Sequence, residues 1–156
     1  MAPVTVEIAG VVSASAGAEL RYVVRNDGNA TVWLVDDGWL VWRREGNRIE
    51  LGFQRVPLRP GIEPFGYFDP QVAPIEPGGE LTRTVALSWP QPLDRMWNEE
   101  REVALPPGEY EVAVRVGYGG SEKAPPVQRV GEGVETPVLA WQHEAVSEPV
   151  TLTVPG

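Results

Sequence analysis

"ALPPGEYEVAVRVGYGG", residues 104–120, decides the fold class. Pro106-Pro107-Gly108 is a turn, after which Tyr110, Val112, Val114, Val116 and Tyr118 alternate with mostly polar or small residues. Side chains that repeat every second residue point to one face of a strand, so the stretch predicts a half-buried β-strand entered through a tight turn. Tyr110 opens that strand, and its ring can serve either the sheet or a ligand.

The same period recurs on both sides. Val4, Val6 and Ile8 alternate with Thr5, Glu7 and Ala9, and Leu20, Tyr22 and Val24 alternate with Arg21 and Arg25 before Asn26-Asp27-Gly28-Asn29 closes the strand. Thr31 to Asp36 and Trp39 to Arg44 are β-rich runs separated by Asp37-Gly38, and Glu45-Gly46-Asn47 turns the second into Arg48 to Gln54. These runs read as a meander. With 17 Gly and 16 Pro, the intervals between punctuating residues suit strands and are too short for ordinary helices.

Between Arg55 and Gly79, five prolines (Pro57, Pro60, Pro64, Pro70 and Pro74) precede the Pro77-Gly78-Gly79 turn. Proline donates no backbone hydrogen bond, so this segment is read as a long ordered excursion and not a ladder strand. Leu81, Val85, Leu87 and Trp89 then share one strand face, interrupted by Arg83, opposite Thr82, Thr84, Ala86 and Ser88. A second loop covers Pro90 to Gly108, with one short helix candidate at Leu93 to Val103. A Gly/Pro-rich stretch from Gly117 to Pro137 holds a short strand at Val127 to Val130, and the last strands lie near Val138 to His143 and Val150 to Val154. Eight or nine strands at this spacing make a two-sheet sandwich or a barrel, and 156 residues make one domain that folds without metal or disulfide.

Composition narrows the chemistry. The chain has no cysteine, which removes thiol catalysis and Cys-ligated zinc, and its net charge of -9 argues against nucleic acid, whose phosphates need a basic face. No segment approaches the roughly 20 apolar residues of a membrane helix, and Met-Ala-Pro-Val-Thr-Val-Glu-Ile lacks a basic leader. The expectation is a soluble, cytoplasmic protein, with an excised domain of an exported protein as the alternative; no signal for an oligomeric state is present.

Three stretches, "LRYVVRNDGNATVWLV", "IEPGGELTRTVALSW" and "LPPGEYEVAVRV", together resemble a bacterial immunoglobulin-like or fibronectin-like β-sandwich. In such domains an Asn-x-Gly-Asn turn ends an early strand, a Pro-Gly-acidic turn precedes a middle one, and "L-x-P-G-x-Y" precedes a late one. "VWRREGNRIELGFQ", followed by the two Pro-Gly turns, is similar to the intracellular proteinase inhibitor family of BsuPI type. The resemblance implies an all-β, immunoglobulin-like antiparallel sandwich of about eight strands with a long Pro-rich loop. It also aligns Tyr110 with a tyrosine whose ring enters the core and whose hydroxyl bonds backbone across a corner. The matching residues are fold-forming, so no inhibitory residue is carried over.

His143 is the only histidine. A Ser-His-Asp triad would have to use it, yet no serine stands in a Gly-x-Ser-x-Gly elbow, so it reads as a strand-end polar residue. Asp36-Asp37 and Glu99-Glu100 are adjacent pairs, which on a strand point to opposite faces and read as a turn and a solvated helix end. Asp27, Asp36, Asp37 and Asp69 are oxygen ligands without a calcium-loop pattern. No catalytic residue, metal or cofactor is assigned.

The aromatics carry the functional reading. By parity Leu40 and Trp42 share a face, while Trp39, Val41 and Arg43 share the other, so both faces carry a Trp: one is the inter-sheet core residue and the other meets a loop cover, a partner or a ligand, with Trp42 assigned to the core and Trp39 to the partner surface. Phe65, Tyr67 and Phe68 lie in the loop "EPFGYFDP" with Arg55 and Arg59 nearby; the rings either staple the loop back onto the sandwich or form a contact surface, which suits a protein partner because Trp, Tyr and Arg dominate hot spots. The expected function is a non-catalytic protein-interaction module binding through Trp39, Arg55, Arg59, Phe65, Tyr67 and Phe68, with Tyr110, Trp42 and Trp89 structural. A proteinase-inhibitor-like protein is the first alternative and a carbohydrate-binding module the second.

Overall fold

The computed structural model describes residues 3–37, 41–55, 71–89, 91–92, 102–103, 105–122, 128–130, 133–135 and 138–155. In chain order they form β1 (Val4–Ala14), β2 (Gly17–Asn26), β3 (Val32–Val35), β4 (Val41–Glu45), β5 (Arg48–Gly52), β6 (Val72–Ile75) and β7 (Glu80–Ser88). They continue with β8 (Gln91–Pro92), β9 (Glu102–Val103), β10 (Gly108–Gly119), β11 (Gln128–Val130), β12 (Gly133–Glu135), a helical turn α1 (Val138–Trp141), β13 (His143–Val146) and β14 (Val150–Val154).

The fold is all-β. One sheet runs β1-β2-β7; the other runs β4-β5-β10-β3-β6, with β13 and β14 also on β10, and β8-β9 and β11-β12 are separate two-stranded pairs. The two large sheets share one core: Leu20, Tyr22 and Val24 of the first face Leu34, Ile49, Leu51, Val112, Val114 and Leu152 of the second. Each of these residues sits on the apolar phase of its strand, as the alternation requires.

Strand β10, within residues 104–120, is the spine of the larger sheet. Along one edge of β10, Glu111 to Arg115 pair in parallel with Arg48 to Gly52 of β5, and Tyr118 and Gly119 pair with β3. Along its other edge, Gly108 to Val112 pair with β14 and Arg115 to Tyr118 with β13. Between those partners the Ser147 hydroxyl accepts the Val114 N–H at 2.9 Å, and the Ser147 N–H donates to the Val114 carbonyl at 2.8 Å. Ser147 is 4% exposed, so its hydroxyl satisfies a buried amide where the ladder is irregular.

Several expectations change. Among the described residues there is no meander through β3, β4 and β5, because β3 lies between β10 and β6 while β4 pairs with β5 alone. The sandwich is not wholly antiparallel, since β5 joins β10 in parallel. The Pro-rich excursion includes strand β6, on the sheet's margin, where the missing N–H of Pro74 does not break a central ladder. Val138 to Trp141 is a helical turn and not the start of a strand, and Glu102–Val103 is a strand and not the end of a helix. Residues 93–101 of that helix candidate lie outside the described residues.

Asn26 joins the sheets. Fully buried at 0% exposure, its Nδ2 donates to the carbonyls of Ala30 and Ile75, both at 2.8 Å, and its Oδ1 accepts the Gly28 N–H at 3.0 Å. Its backbone donates to the Gly79 carbonyl and accepts from Gly78 N–H. One side chain thus ends β2, shapes the following turn and holds the end of β6.

Candidate functional site

The described residues converge on the base of segment 56–70. Just after β3, Asp36 and Asp37 reach different partners. Asp36 turns to the other sheet, where Arg83 of β7 grips it with a fork: Nε to Oδ1 at 3.0 Å and Nη2 to Oδ2 at 2.8 Å. Both side chains are 33% exposed, so the fork contributes on the order of 1 kcal/mol. Hydrogen bonding to Asp36 raises the Arg83 pKa, against the opposing effect of burial. Beside this fork Tyr22 stacks on Phe53 with centroids 5.2 Å apart. Burial, reinforced by Asp36 and offset by Arg83, pushes the Tyr22 hydroxyl up to about 12.

Asp37 turns the other way, into the protein. Its Oδ2 accepts from Arg55 Nε at 2.6 Å and its Oδ1 from the Gln71 N–H at 2.6 Å, while the Asp36 N–H donates to the Gln71 carbonyl at 2.8 Å. The Asp37 and Arg55 side chains are 4% and 3% exposed. Arg55 and Gln71 flank segment 56–70, so one buried carboxylate holds both of its roots.

A second clamp comes from Gln142, the residue that follows α1. The Gln142 side chain pairs with the Arg55 backbone as a strand neighbour would, its Oε1 accepting the N–H at 2.9 Å and its Nε2 donating to the carbonyl at 3.0 Å. Gln142 lies over Gly117 and the Trp141 indole over Gly119, so closely that a Cβ at either glycine would overlap the side chain above it. Trp141 Nε1 donates to Ser121 Oγ at 3.0 Å. The two glycines, on one face of β10, are the floor on which α1 and the root of the segment are laid.

Of the residues expected to bind a partner, Arg55 is placed differently from the expectation. It is a buried, ion-paired root residue, because a guanidinium removed from water requires a carboxylate partner and Asp37 supplies it. Trp39, Arg59, Phe65, Tyr67 and Phe68 lie outside the described residues. Trp42 pairs in register with Leu51 in the β4–β5 hairpin. Trp89 packs partly buried against the core, and its Nε1 has no hydrogen-bond partner among the described residues.

Tyr110 is 5% exposed, and its hydroxyl donates to the Pro106 carbonyl, four residues upstream, at 2.6 Å. Its ring packs in the core and carries the Arg44 guanidinium 5.4 Å from its centroid. Tyr110→Phe keeps the ring and removes one hydrogen bond, so it should lower unfolding free energy by about 1 kcal/mol in a urea titration. An unchanged midpoint would refute the corner role.

Elsewhere, a cleft of about 310 Å³ opens at one end of the sandwich between Pro3, Thr31, Tyr118 and His143. The His143 ring lies 5.6 Å from that of Tyr118, tilted by 36°. Asp37, Gln142 and Trp141 are site residues that the sequence reading missed. The signal was the Gly-Tyr-Gly-Gly run at 117–120, since glycine at alternate strand positions marks a close approach of another group to the backbone. No protein-family model, no curated protein and no solved structure matches this chain.

Proposed function

We propose that this protein is a non-catalytic interaction module, an immunoglobulin-like sandwich that offers segment 56–70 to a protein partner. The observation that carries the reading is the Asp37 clamp, whose two carboxylate oxygens hold Arg55 and Gln71. Fixing both ends of a recognition segment before binding lowers the entropy that binding must overcome. The sequence between those ends holds Arg59, Phe65, Tyr67 and Phe68, residue types suited to an interface core. The Tyr110 to Pro106 bond supports the immunoglobulin-like assignment, since such sandwiches tie a late strand to the preceding corner in this way.

A segment held at both roots also suits a proteinase-inhibitor-like role, in which the partner is a protease. Phe65→Ser/Tyr67→Ser/Phe68→Ser should bind the partner at least about 30-fold more weakly, because losing two or more anchors at a hot spot costs over 2 kcal/mol. The check is capture of cell proteins and titration against a protease panel, with wild type and triple variant matched for unfolding midpoint. Equal capture by both chains, without protease inhibition by either, would remove segment 56–70 as the binding surface.

A further inference from the structure

We propose that β1 pairs with β1 of a second copy of this chain through its free edge, centred on Val12. In the three-stranded sheet β1 is an outer strand, bonded to β2 on one side only among the described residues. An outer strand offers a row of unpaired N–H and C=O groups, and proteins ordinarily protect such an edge with charge, proline or a bulge. Here the protection covers one half. Glu7 carries a charge, ion-paired to Arg25 at 2.6 Å, and the register shifts between Ile8 and Gly10, a bulge that disturbs the edge at Ala9.

Beyond the bulge the protection ends. Gly10 to Ala14 pair regularly with Arg21 to Gly17 of β2, so this stretch is straight template. Residues 8–18, Ile-Ala-Gly-Val-Val-Ser-Ala-Ser-Ala-Gly-Ala, contain no charged side chain in a chain of net charge -9. Val12, in the middle of the regular stretch, is 72% exposed.

The occupant follows from charge. Two copies that each carry -9 repel wherever their carboxylates meet, and this stretch lets them approach without such a meeting. A two-fold antiparallel pair centred on Val12 sets Val12 against Val12, Val11 against Ser13 and Gly10 against Ala14. The nearest carboxylate on that face is Glu19, which pairs with Val12 across β2. In the paired sheet the two Glu19 residues stand three strand spacings apart, about 14 Å, beyond the screening length of about 8 Å at physiological salt. The pairing is isologous and closes after two copies, so it gives a dimer and not a fibre.

Light scattering coupled to size exclusion, from about 5 to 500 μM, should show a concentration-dependent dimer. Val12→Lys sets two cations directly against each other and should weaken the dimer at least about tenfold, roughly 1.4 kcal/mol. Thr82→Lys on β7, the opposite margin of the same sheet, should leave it unchanged. Val12→Cys introduces a single thiol into a chain that has none, and the two sulfurs should form an interchain disulfide on mild oxidation, because opposed Cβ atoms lie within bridging distance. A wild-type chain that stays monomeric at 500 μM would overturn the proposal. So would a Val12→Lys chain that dimerises as wild type does, or a Val12→Cys chain that resists oxidation at that concentration.

Discussion

Asp37→Ala should lower the unfolding free energy by about 3–5 kcal/mol, the cost of removing one partner of a buried ion pair. The magnitude follows from burial: Arg55 and Asp37 are 3% and 4% exposed, so water cannot replace the lost carboxylate. The same substitution also removes the acceptor of the Gln71 N–H. Urea unfolding followed by tryptophan fluorescence would measure the loss. Arg55→Leu on the Asp37→Ala background should recover part of it, because the buried guanidinium is then replaced by an apolar side chain. Both roots of segment 56–70 are released together, so limited proteolysis should cut the Asp37→Ala chain within that segment faster than wild type. A loss below about 1 kcal/mol would place the pair among exposed ion pairs and contradict the burial.

Asn26→Ala is the second large effect, with an expected loss of about 3 kcal/mol. Three hydrogen bonds of the side chain disappear at 0% exposure, and each net bond contributes about 1 kcal/mol. The substitution leaves the Ala30 and Ile75 carbonyls and the Gly28 amide without their partner. For a chain of this size the loss corresponds to a fall in midpoint of roughly 10 °C. Asn26→Asp is the informative companion: it keeps the shape and the acceptor for Gly28 but turns both donated bonds into repulsions between a carboxylate and carbonyl oxygens. It should be at least as damaging as alanine. Thermal melts in which Asn26→Asp matches wild type would show that the two donated bonds contribute nothing.

The legible part of this molecule is periodic. Val4, Val6, Leu20, Tyr22, Val24, Val112, Val114 and Val116 are core residues because alternation is a local property, visible in any few residues of a strand. Partner choice is not local. Nothing in Arg48 to Gly52 says that this strand joins β10 in parallel, and nothing in Val32 to Val35 says that it leaves its sequence neighbour β4 for β10 and β6. Those pairings depend on how two sheets close around one core. The site was harder still. Asp37 sits beside a glycine and reads as a turn, and only the fold brings it to Arg55 and Gln71, 18 and 34 residues away. Tyr110 was legible because its partner Pro106 lies within the same turn.

The position of β10 also bears on how fast the molecule folds. Its four partners among the described residues are drawn from both ends of the chain: Trp33 and Leu34 precede their partners on it by more than 80 residues, while Val150 to Val154 follow it. A folding nucleus built on β10 must therefore close long loops before its hydrophobic face is covered, which puts this topology among the slow folders, in the millisecond to second range. While those loops remain open, Val112, Val114 and Val116 form an unshielded apolar stripe. Dilution from denaturant at high protein concentration would make that transient stripe the principal route to aggregation.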